Sequence, residues 1–258
     1  MSPFSYSAKL YESDLQKGEI CYEKAKKEHF DALFALYECS FPDKAPRLPF
    51  EYGVINELDT YIALIDGTPV GMVSANPVFY KGQKGHQIFK LCAHPKVRGR
   101  GIGGALLSFM HRERRAEGDL FSLVMPGSKG LYSFYEKQGY ASISAKRIVL
   151  APRESLLYED ERVEYLPRYE ALCLESAAKN QKTVLSGYGS YCGFEEEGRV
   201  FLDDLMPFGR RIAPVCPLPV TFYLPDPEGK ERYGMVCALD ARAELEGIYP
   251  RIVMGSHK

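Results

Sequence analysis

Two hydrophobic periodicities alternate along the first third of the chain. Apolar residues at three- and four-residue steps predict a helix over residues 30–41, which Pro42 ends. Runs rich in β-branched and aromatic residues lie on both sides of Asp66-Gly67, a dipeptide suited to a tight turn, and predict a hairpin. The strands predicted in this part cover residues 60–65, 70–75, 78–80 and 87–93. We therefore expect a strand, a helix and then an antiparallel meander.

The middle of the chain alternates predicted strands and helices. A glycine-rich stretch over residues 97–104 precedes a helix that Gly118 ends, and Gly139 ends a shorter helix over residues 129–138. Buried strands are predicted over residues 120–125 and 143–150. The order strand, glycine loop, helix, strand, helix, strand is typical of an α/β arrangement, so we expect a mixed α+β fold.

The texture of the sequence changes at Pro152, after which a charged connection leads into a proline-rich region. A strand over 163–166 feeding a helical stripe over 169–177 faintly repeats the pattern of residues 22–40. The later strands are predicted over residues 199–202, 220–224 and 233–239. We expect two domains, 1–151 and 152–258, the second being a smaller α+β region that a degenerate half of the first fold would explain.

The composition excludes several classes of protein. The chain has 258 residues, 45% of them hydrophobic and 26% charged, with a net charge of -1, which is typical of a globular protein and not of a general polyanion binder. Arg112, Arg114 and Arg115 are interpreted as a solvated helix face rather than a nucleic-acid patch. No apolar stretch approaches the ~20 residues that span a bilayer, and the first thirty residues lack a signal-peptide core.

The cysteines favour a reducing compartment. There are seven, an odd number, and no two are spaced C-x-x-C, so neither a disulfide framework nor a zinc site is predicted. We therefore expect a cytoplasmic protein with no metal ion, no membrane association and no nucleic-acid partner.

The glycine-rich stretch is the strongest candidate for a functional site. A strand ending near Ala93 and a helix starting near Gly101 aim the intervening loop at the positive end of the helix, where backbone N–H groups lack partners. Glycines let the backbone approach a pyrophosphate closely, and Arg98 and Arg100 add positive charge. The residues alone leave open an anion site or an ordinary turn with solvated arginines.

A dinucleotide-binding loop is a third interpretation, because Gly99-x-Gly101-x-x-Gly104 formally matches that fingerprint. The fingerprint needs a strand running directly into the first glycine, whereas residues 94–98 intervene here. It also needs a carboxylate at the end of the next strand, where this chain has Met125-Pro126. A nicotinamide-dependent enzyme is therefore disfavoured.

Residues 91–107 resemble the acyl-CoA signature of the GNAT superfamily of N-acetyltransferases. Arg98, Gly101 and Gly103 fill the family pattern Gln/Arg-x-x-Gly-x-Gly/Ala. Residues 134–140 resemble the second signature, Tyr-x-Lys-x-Gly-Phe/Tyr. The resemblance covers residues 20–150. It implies a mixed sheet of about six or seven strands flanked by helices, splayed at the strand that ends in Ala93, and an enzyme that transfers an acetyl group from acetyl-CoA to a primary amine.

The resemblance also implies roles for particular residues. Tyr135 matches the tyrosine that protonates the departing thiolate, and Ser128 stands where family members often carry a pantetheine-binding Asn. Backbone groups at the end of the strand would bind the pantetheine arm, and the loop would bind the pyrophosphate. The implied cofactor-binding residues are Leu91, Cys92, Ala93, Arg98, Gly99, Arg100, Gly101, Ile102, Gly103 and Gly104.

Several questions stay open at the level of sequence. Cys92 is interpreted as a small buried hydrophobe rather than a nucleophile, and His94 as a partly exposed loop histidine. A non-catalytic acyl-CoA-binding regulatory module is the main alternative to an enzyme. The acceptor, a small-molecule or peptide amine, and the oligomeric state, for which a homodimer is one option, are not determined. The candidates for the general base are Glu38, Glu51, Glu57, a water chain and the C-terminal carboxylate of Lys258.

Overall fold

The computed structural model describes residues 18–41, 59–150, 164–165, 192–196, 199–203, 220–226, 228–229 and 231–248. Internal contacts divide the chain into two compact units. The first consists of Met1–Pro77 and His86–Asp119, and the second of Val78–Gly85 and Leu120–Lys258. The predicted domain boundary after residue 151 remains a prediction.

The first unit is built on antiparallel strands. Strand β1 (Ile20–Lys24) pairs with β2 (Asp59–Ile65), which pairs with β3 (Thr68–Tyr80), and β3 is hydrogen-bonded to β4 (Gln83–Ala93). The predicted strand, helix and meander are thereby confirmed. The described residues of this unit also form the α-helices α1 (Phe30–Ser40) and α2 (Ile102–Ala116).

Helix α2 packs on one face of this sheet through Phe109. The ring of Phe109 stacks on Tyr22 of β1 at 5.9 Å and meets Tyr61 of β2 edge-on at 6.0 Å. Since side chains alternate across a strand, Tyr61 and its register partner Val73 define the sheet face that α2 covers. Thr60 and its partner Ser74 lie on the opposite face.

The strands predicted over residues 70–75 and 78–80 form one continuous strand, because β3 runs through Asn76 and Pro77. The described register of β3 with β2 covers residues 68–75 of β3.

The second unit contains β5 (Phe121–Val124), helix α3 (Lys129–Glu136) and most of the remaining strands. The later strands are β6 (Ala141–Leu150), β7 (Glu164–Tyr165), β8 (Cys192–Glu196), β9 (Arg199–Asp203), β10 (Val220–Pro225) and β11 (Glu231–Ala238). The strand order in this unit is β5-β11-β6-β10-β9-β8, and all of these neighbours are antiparallel except the parallel pair β9 and β10.

Strand β11 comes from the far end of the chain but lies between β5 and β6. The strands predicted over residues 120–125, 143–150, 163–166, 199–202, 220–224 and 233–239 are confirmed as β5, β6, β7, β9, β10 and β11. Strand β8 was not predicted. The predicted helical stripe over residues 169–177 lies outside the described residues. Within the described ranges, no helix is both long and apolar enough to cross a membrane. The mixed α+β fold class is confirmed.

The interpretation of Arg112, Arg114 and Arg115 as a solvated helix face is wrong for Arg114, which is only 1% exposed. Its guanidinium donates to both carboxylate oxygens of Asp119 at 2.9 and 3.1 Å, to Glu117 at 2.7 Å, and also to Asp59. Asp119 in turn lies 2.8 Å from Nδ1 of the buried His86. A buried guanidinium is tolerated only with such pairing, so this network ties the end of α2 to the sheet.

Burial also sets the protonation of this region. It lowers the pKa of His86, and it lowers the pKa of His111, whose ring lies 5.6 Å from that of His86, to about 3. Burial alone would raise the pKa of Asp119, but hydrogen bonds from His86 and Arg114 outweigh it and lower that pKa. The folded state therefore holds two neutral histidines beside an ionised carboxylate at neutral pH.

We expect the free energy of unfolding to fall as the pH drops from 7 towards 4. The unfolded chain takes up protons on histidines with a pKa of about 6.5, while the folded histidines stay neutral, and each such group contributes a slope of about 1.4 kcal/mol per pH unit. Urea denaturation across this range should show the loss. The variant His111→Gln should have a shallower slope; an identical slope would show that His111 does not titrate on unfolding.

Candidate functional site

Hydrogen bonds hold the loop between β4 and α2 against the ends of β3 and β4. The N–H group of His94 donates to the carbonyl of Val70 at 2.8 Å, and a single 3-10 turn over Pro95–Val97 follows. Val97 is completely buried and anchors this turn. The guanidinium Nε of Arg98 then donates back to the carbonyl of Ala93 at 3.2 Å. Arg98 is thus held at the base of the glycine loop.

Two glycines of the loop adopt backbone angles that other residues avoid. Gly99 has φ of 83° and Gly101, the N-cap of α2, has φ of 76°. A Cβ atom added at either position would meet no atom within 4 Å in the structure as described, so the space around both is open. Gly101 has no side chain to cap the helix, which leaves the first amides of α2 available to an anion.

Gly71 of β3 sets the height of this helix end above the sheet, and sequence reasoning missed it. A Cβ atom at Gly71 would lie 3.2 Å from Ile102 Cγ2, 3.3 Å from the carbonyl oxygen of Cys92 and 3.4 Å from Ala63 Cβ. The first residue of α2 therefore packs directly on the backbone of β3. A glycine inside a strand pattern is the sequence signal for such a close approach.

Strand β4 is irregular just before the loop. Lys90 has φ of 52°, a left-handed value that a regular strand does not contain and that is typical of a β-bulge. Residues 85–88 before it are buried, whereas residues 89–93 are only partly buried. The strand end at Leu91, Cys92 and Ala93 is thus partly accessible, as its predicted role requires. The splay predicted at this strand remains a prediction.

The thiol and imidazole near the loop are both neutral at pH 7. Burial raises the pKa of Cys92 to about 12, even though the hydroxyl of Ser40 forms a hydrogen bond with this thiol. Burial, with Lys96 and Arg98 nearby, lowers the pKa of His94, whose Nδ1 accepts a hydrogen bond from the Lys96 N–H group at 3.3 Å. A thiol with so high a pKa is a poor nucleophile, which agrees with the interpretation of Cys92 as a packing residue.

Tyr135 lies on α3 in the second unit and is 5% exposed. Its ring meets Phe134 and Tyr140 edge-on at 5.0 and 5.4 Å, and burial raises the pKa of its hydroxyl. The phenol is therefore protonated at neutral pH. Ser128 is the N-cap residue of α3 but makes no side-chain capping hydrogen bond.

Some of the remaining candidate site residues lie within the described parts of the chain and others do not. The structure brings the strand end 91–93 and the loop 98–104 together in the first unit, and it puts Glu38 on the exposed part of α1. Glu51, Glu57 and Lys258 lie outside the described residues. Among the described residues, no group of three or more His, Cys, Asp or Glu side chains could hold a metal ion.

Comparison with known proteins agrees with this geometry. Residues 28–140 match the model of the acetyltransferase (GNAT) family. An acetyltransferase from Pectobacterium atrosepticum is 28% identical over 124 residues, which cover 46% of this chain and 85% of that protein.

Two solved structures share the fold over most of the chain. A protein from Enterococcus faecalis V583, described as a probable N-acyltransferase, superposes with a TM-score of 0.63 at 15% identity, covering 90% of this chain and 75% of that one. A GCN5-related N-acetyltransferase from Kribbella flavida gives 0.57 at 14% identity, with 89% and 73% covered.

Residues 28–140 of this chain are therefore a GNAT acetyltransferase domain with the acyl-CoA N-acyltransferase fold. The matched segment contains both stretches whose residues resemble the family signatures, so the predicted family and fold are confirmed. The particular roles of Tyr135 and of residues 91–104 remain predictions.

The packing at Gly71 predicts a measurable cost of a single methyl group. We expect Gly71→Ala to lose about 1 kcal/mol or more of unfolding free energy, because the new methyl overpacks against Ile102 and the Cys92 carbonyl. Gly130 of α3, where a Cβ atom meets nothing within 4 Å, provides the control. Gly130→Ala should be neutral or stabilise by up to about 1 kcal/mol. Equal responses of the two variants in urea denaturation would contradict the packing account.

Proposed function

We propose that this protein is an acetyl-CoA-dependent N-acetyltransferase that transfers the acetyl group directly to a primary amine, without a covalent intermediate. The observation that carries the proposal is the open loop at the start of α2, where Gly99 and Gly101 hold left-handed angles and leave the helix amides uncovered. Membership of residues 28–140 in an acetyltransferase family supports the same chemistry.

The loop provides what a diphosphate requires. The amides of the first turn of α2, at Ile102, Gly103 and Gly104, lie at the positive end of the helix dipole. Arg98 is already held by its hydrogen bond to Ala93, so little side-chain freedom is lost when it meets a phosphate. Arg100 adds a second positive charge.

The pantetheine arm would lie along the end of β4. The partly exposed backbone of Leu91, Cys92 and Ala93 can hydrogen-bond an extended amide chain in the manner of an added strand. One amide of this segment would also stabilise the negative charge that develops on the thioester oxygen. This places the carrier with its phosphates at the loop and its thioester farther back along β4.

The reaction requires two proton movements. An alkylammonium with a pKa of about 10 must lose a proton before it can attack, and the CoA thiolate, similar to a cysteine of pKa about 8.5, leaves better when protonated. Tyr135, which lies in the stretch that resembles the second family signature, would supply the second proton from its hydroxyl, which is protonated at neutral pH. The first proton would go to a carboxylate or a water, with Glu38, Glu51 and Glu57 as the candidate carboxylates.

The remaining parts of the proposal follow from the same reaction. Direct transfer needs neither a metal ion nor an enzyme nucleophile, and the high pKa of Cys92 supports the second of these points. The acceptor would be a small-molecule or peptide amine met in the cytoplasm, where acetyl-CoA is available. Release of free thiol from acetyl-CoA in the presence of amines tests the activity, whereas CoA binding without thiol release would favour the regulatory module.

Gly101→Asp should weaken CoA binding at least about tenfold, because a carboxylate in the open space beside the first turn of α2 repels the diphosphate. Gly82→Asp is the matched control, since Gly82 has φ of 73° and equally open surroundings in the hairpin turn. Isothermal titration calorimetry with CoA measures both. An unaltered dissociation constant for Gly101→Asp would remove the proposed phosphate site.

Tyr135→Phe should lower kcat about a hundredfold while the dissociation constant of CoA stays the same, because it removes the proton donor and keeps the ring. Tyr132→Phe is the control, being a second buried tyrosine of α3, packed beside Arg232. Its kcat should stay close to that of the parent protein. If Tyr135→Phe turns over normally, Tyr135 serves packing alone.

A further inference from the structure

Asn76 of β3 is an unusual buried side chain. It is completely buried, and in the described part of the chain neither its Oδ1 nor its Nδ2 atom has a hydrogen-bond partner. An amide buried without partners costs free energy of the order of 1–3 kcal/mol, so buried polar groups in native proteins are almost always satisfied. Both polar atoms of Asn76 therefore need a partner that the described residues do not supply.

The side chain of Asn76 lies on the sheet face opposite helix α2. Side chains alternate along β3, so Asn76 shares a face with Ser74, whose register partner is Thr60 of β2. The hydroxyls of Ser74 and Thr60 are 2.8 Å apart and satisfy each other. Asn76 thus lies next to a buried pair of hydroxyl groups on this face, and that pair is already satisfied.

Two other buried atoms without partners in the described residues have a different character. The hydroxyl of Tyr61 belongs to a ring that packs on Phe109 under α2. Nε2 of His86 belongs to a ring whose Nδ1 is held by Asp119. Each is a single atom of a ring that is otherwise held. Burial raises the pKa of Tyr61, and Arg114 is close enough to its hydroxyl to oppose that rise through a hydrogen bond. Asn76 leaves a complete amide, with one acceptor and two donor hydrogens, unused.

Asn76 lies towards the end of the sheet where the acceptor amine would meet the thioester in the proposed reaction. Strands β3 and β4 are joined at Lys81-Gly82, and equal steps back from that turn bring Asn76 beside the buried Gln87. Gln87 precedes Leu91 by four residues, or about 14 Å at the usual rise of a strand. Since the pantetheine arm would occupy residues 91–93, the thioester points towards this end of β4.

We propose that Asn76 binds the acceptor, through a polar group that neighbours the reacting amine; this rests on the proposed acetyltransferase function. The amide selects a group that both donates and accepts hydrogen bonds, such as a hydroxyl or a carboxamide. An ammonium group can only donate and a carboxylate can only accept, so either leaves part of the amide unpaired. Amino sugars and peptides with a free N-terminus therefore fit this position better than polyamines or free amino acids.

The test compares Asn76→Leu with the parent protein. Leucine keeps the branching of asparagine and removes both polar atoms. We expect the variant to have a Tm equal to or above that of the parent without ligand, because the removed amide has no partner in the folded chain. We also expect an unchanged dissociation constant for CoA. For glucosamine and trialanine amide, the KM should rise at least about tenfold, as the loss of a hydrogen-bonded contact requires.

Spermidine and L-lysine serve as the discriminating probes. In the parent protein they should be poorer acceptors than glucosamine and trialanine amide, and Asn76→Leu should remove that preference. Whether glucosamine or trialanine amide shows the larger change distinguishes a sugar acceptor from a peptide. Ser74→Ala is the control, because Ser74 shares the face but is paired internally; it should lower the Tm and leave the KM of every amine unchanged.

A Tm of Asn76→Leu well below that of the parent would overturn the inference, since the amide would then be satisfied within the folded protein. An unchanged KM for both hydroxyl- and amide-bearing amines would also overturn it. Failure of the proposed function has a different signature, namely no binding of CoA and no thiol release by the parent protein. In that case the Tm comparison still shows whether the amide of Asn76 has a partner within the folded protein.

Discussion

The chemistry attributed to this protein depends on an unfilled helix terminus. At the start of α2, Gly101 takes a left-handed conformation and contributes no capping side chain, so the first amides of the helix need an external partner. Most helices satisfy these amides with a serine, threonine, aspartate or asparagine at the N-cap. Here the position is kept open, and Arg98 is held beside it by the carbonyl of Ala93. The arrangement gives up some helix stability, and under the proposed function it would provide a site for an anion.

Protonation is the second constraint, and burial controls it. The same loss of hydration raises the pKa of the Cys92 thiol and of the Tyr135 phenol, but the consequences for the two groups are opposite. A thiol with so high a pKa is a poor nucleophile, which disfavours an acetylated enzyme. A protonated phenol is the form that the proposed proton donation needs, although its raised pKa makes it a weaker acid. The proposed direct transfer would use both groups in the protonation state in which the fold holds them.

Local patterns predicted those parts of the structure that local forces determine. Helical spacing located α1 and α2, the Asp66-Gly67 dipeptide located a hairpin, and the glycine loop was found by its motif. Features that depend on distant partners were missed. Arg114 reads as a surface charge until Asp119 and Asp59 are seen around it, and nothing in the spacing of polar residues predicts that network.

The same limit applies to the backbone. The left-handed angle of Lys90 and the continuation of β3 through Pro77 are backbone features that the spacing of polar and apolar residues did not predict. The close approach of Ile102 to Gly71 joins residues thirty-one positions apart, so it requires the sheet to be assembled first. Family resemblance supplied the family and the proposed site where physical patterning left several interpretations open, because two motifs at a fixed separation carry more information than either alone.

The most direct test of the central claim is a crystal structure of the protein with CoA bound. The account predicts that the diphosphate lies at the first turn of α2, within hydrogen-bond distance of the amides of Ile102, Gly103 and Gly104, with the pantetheine arm along Leu91, Cys92 and Ala93. A diphosphate bound elsewhere, or no CoA at saturating concentration, would contradict it.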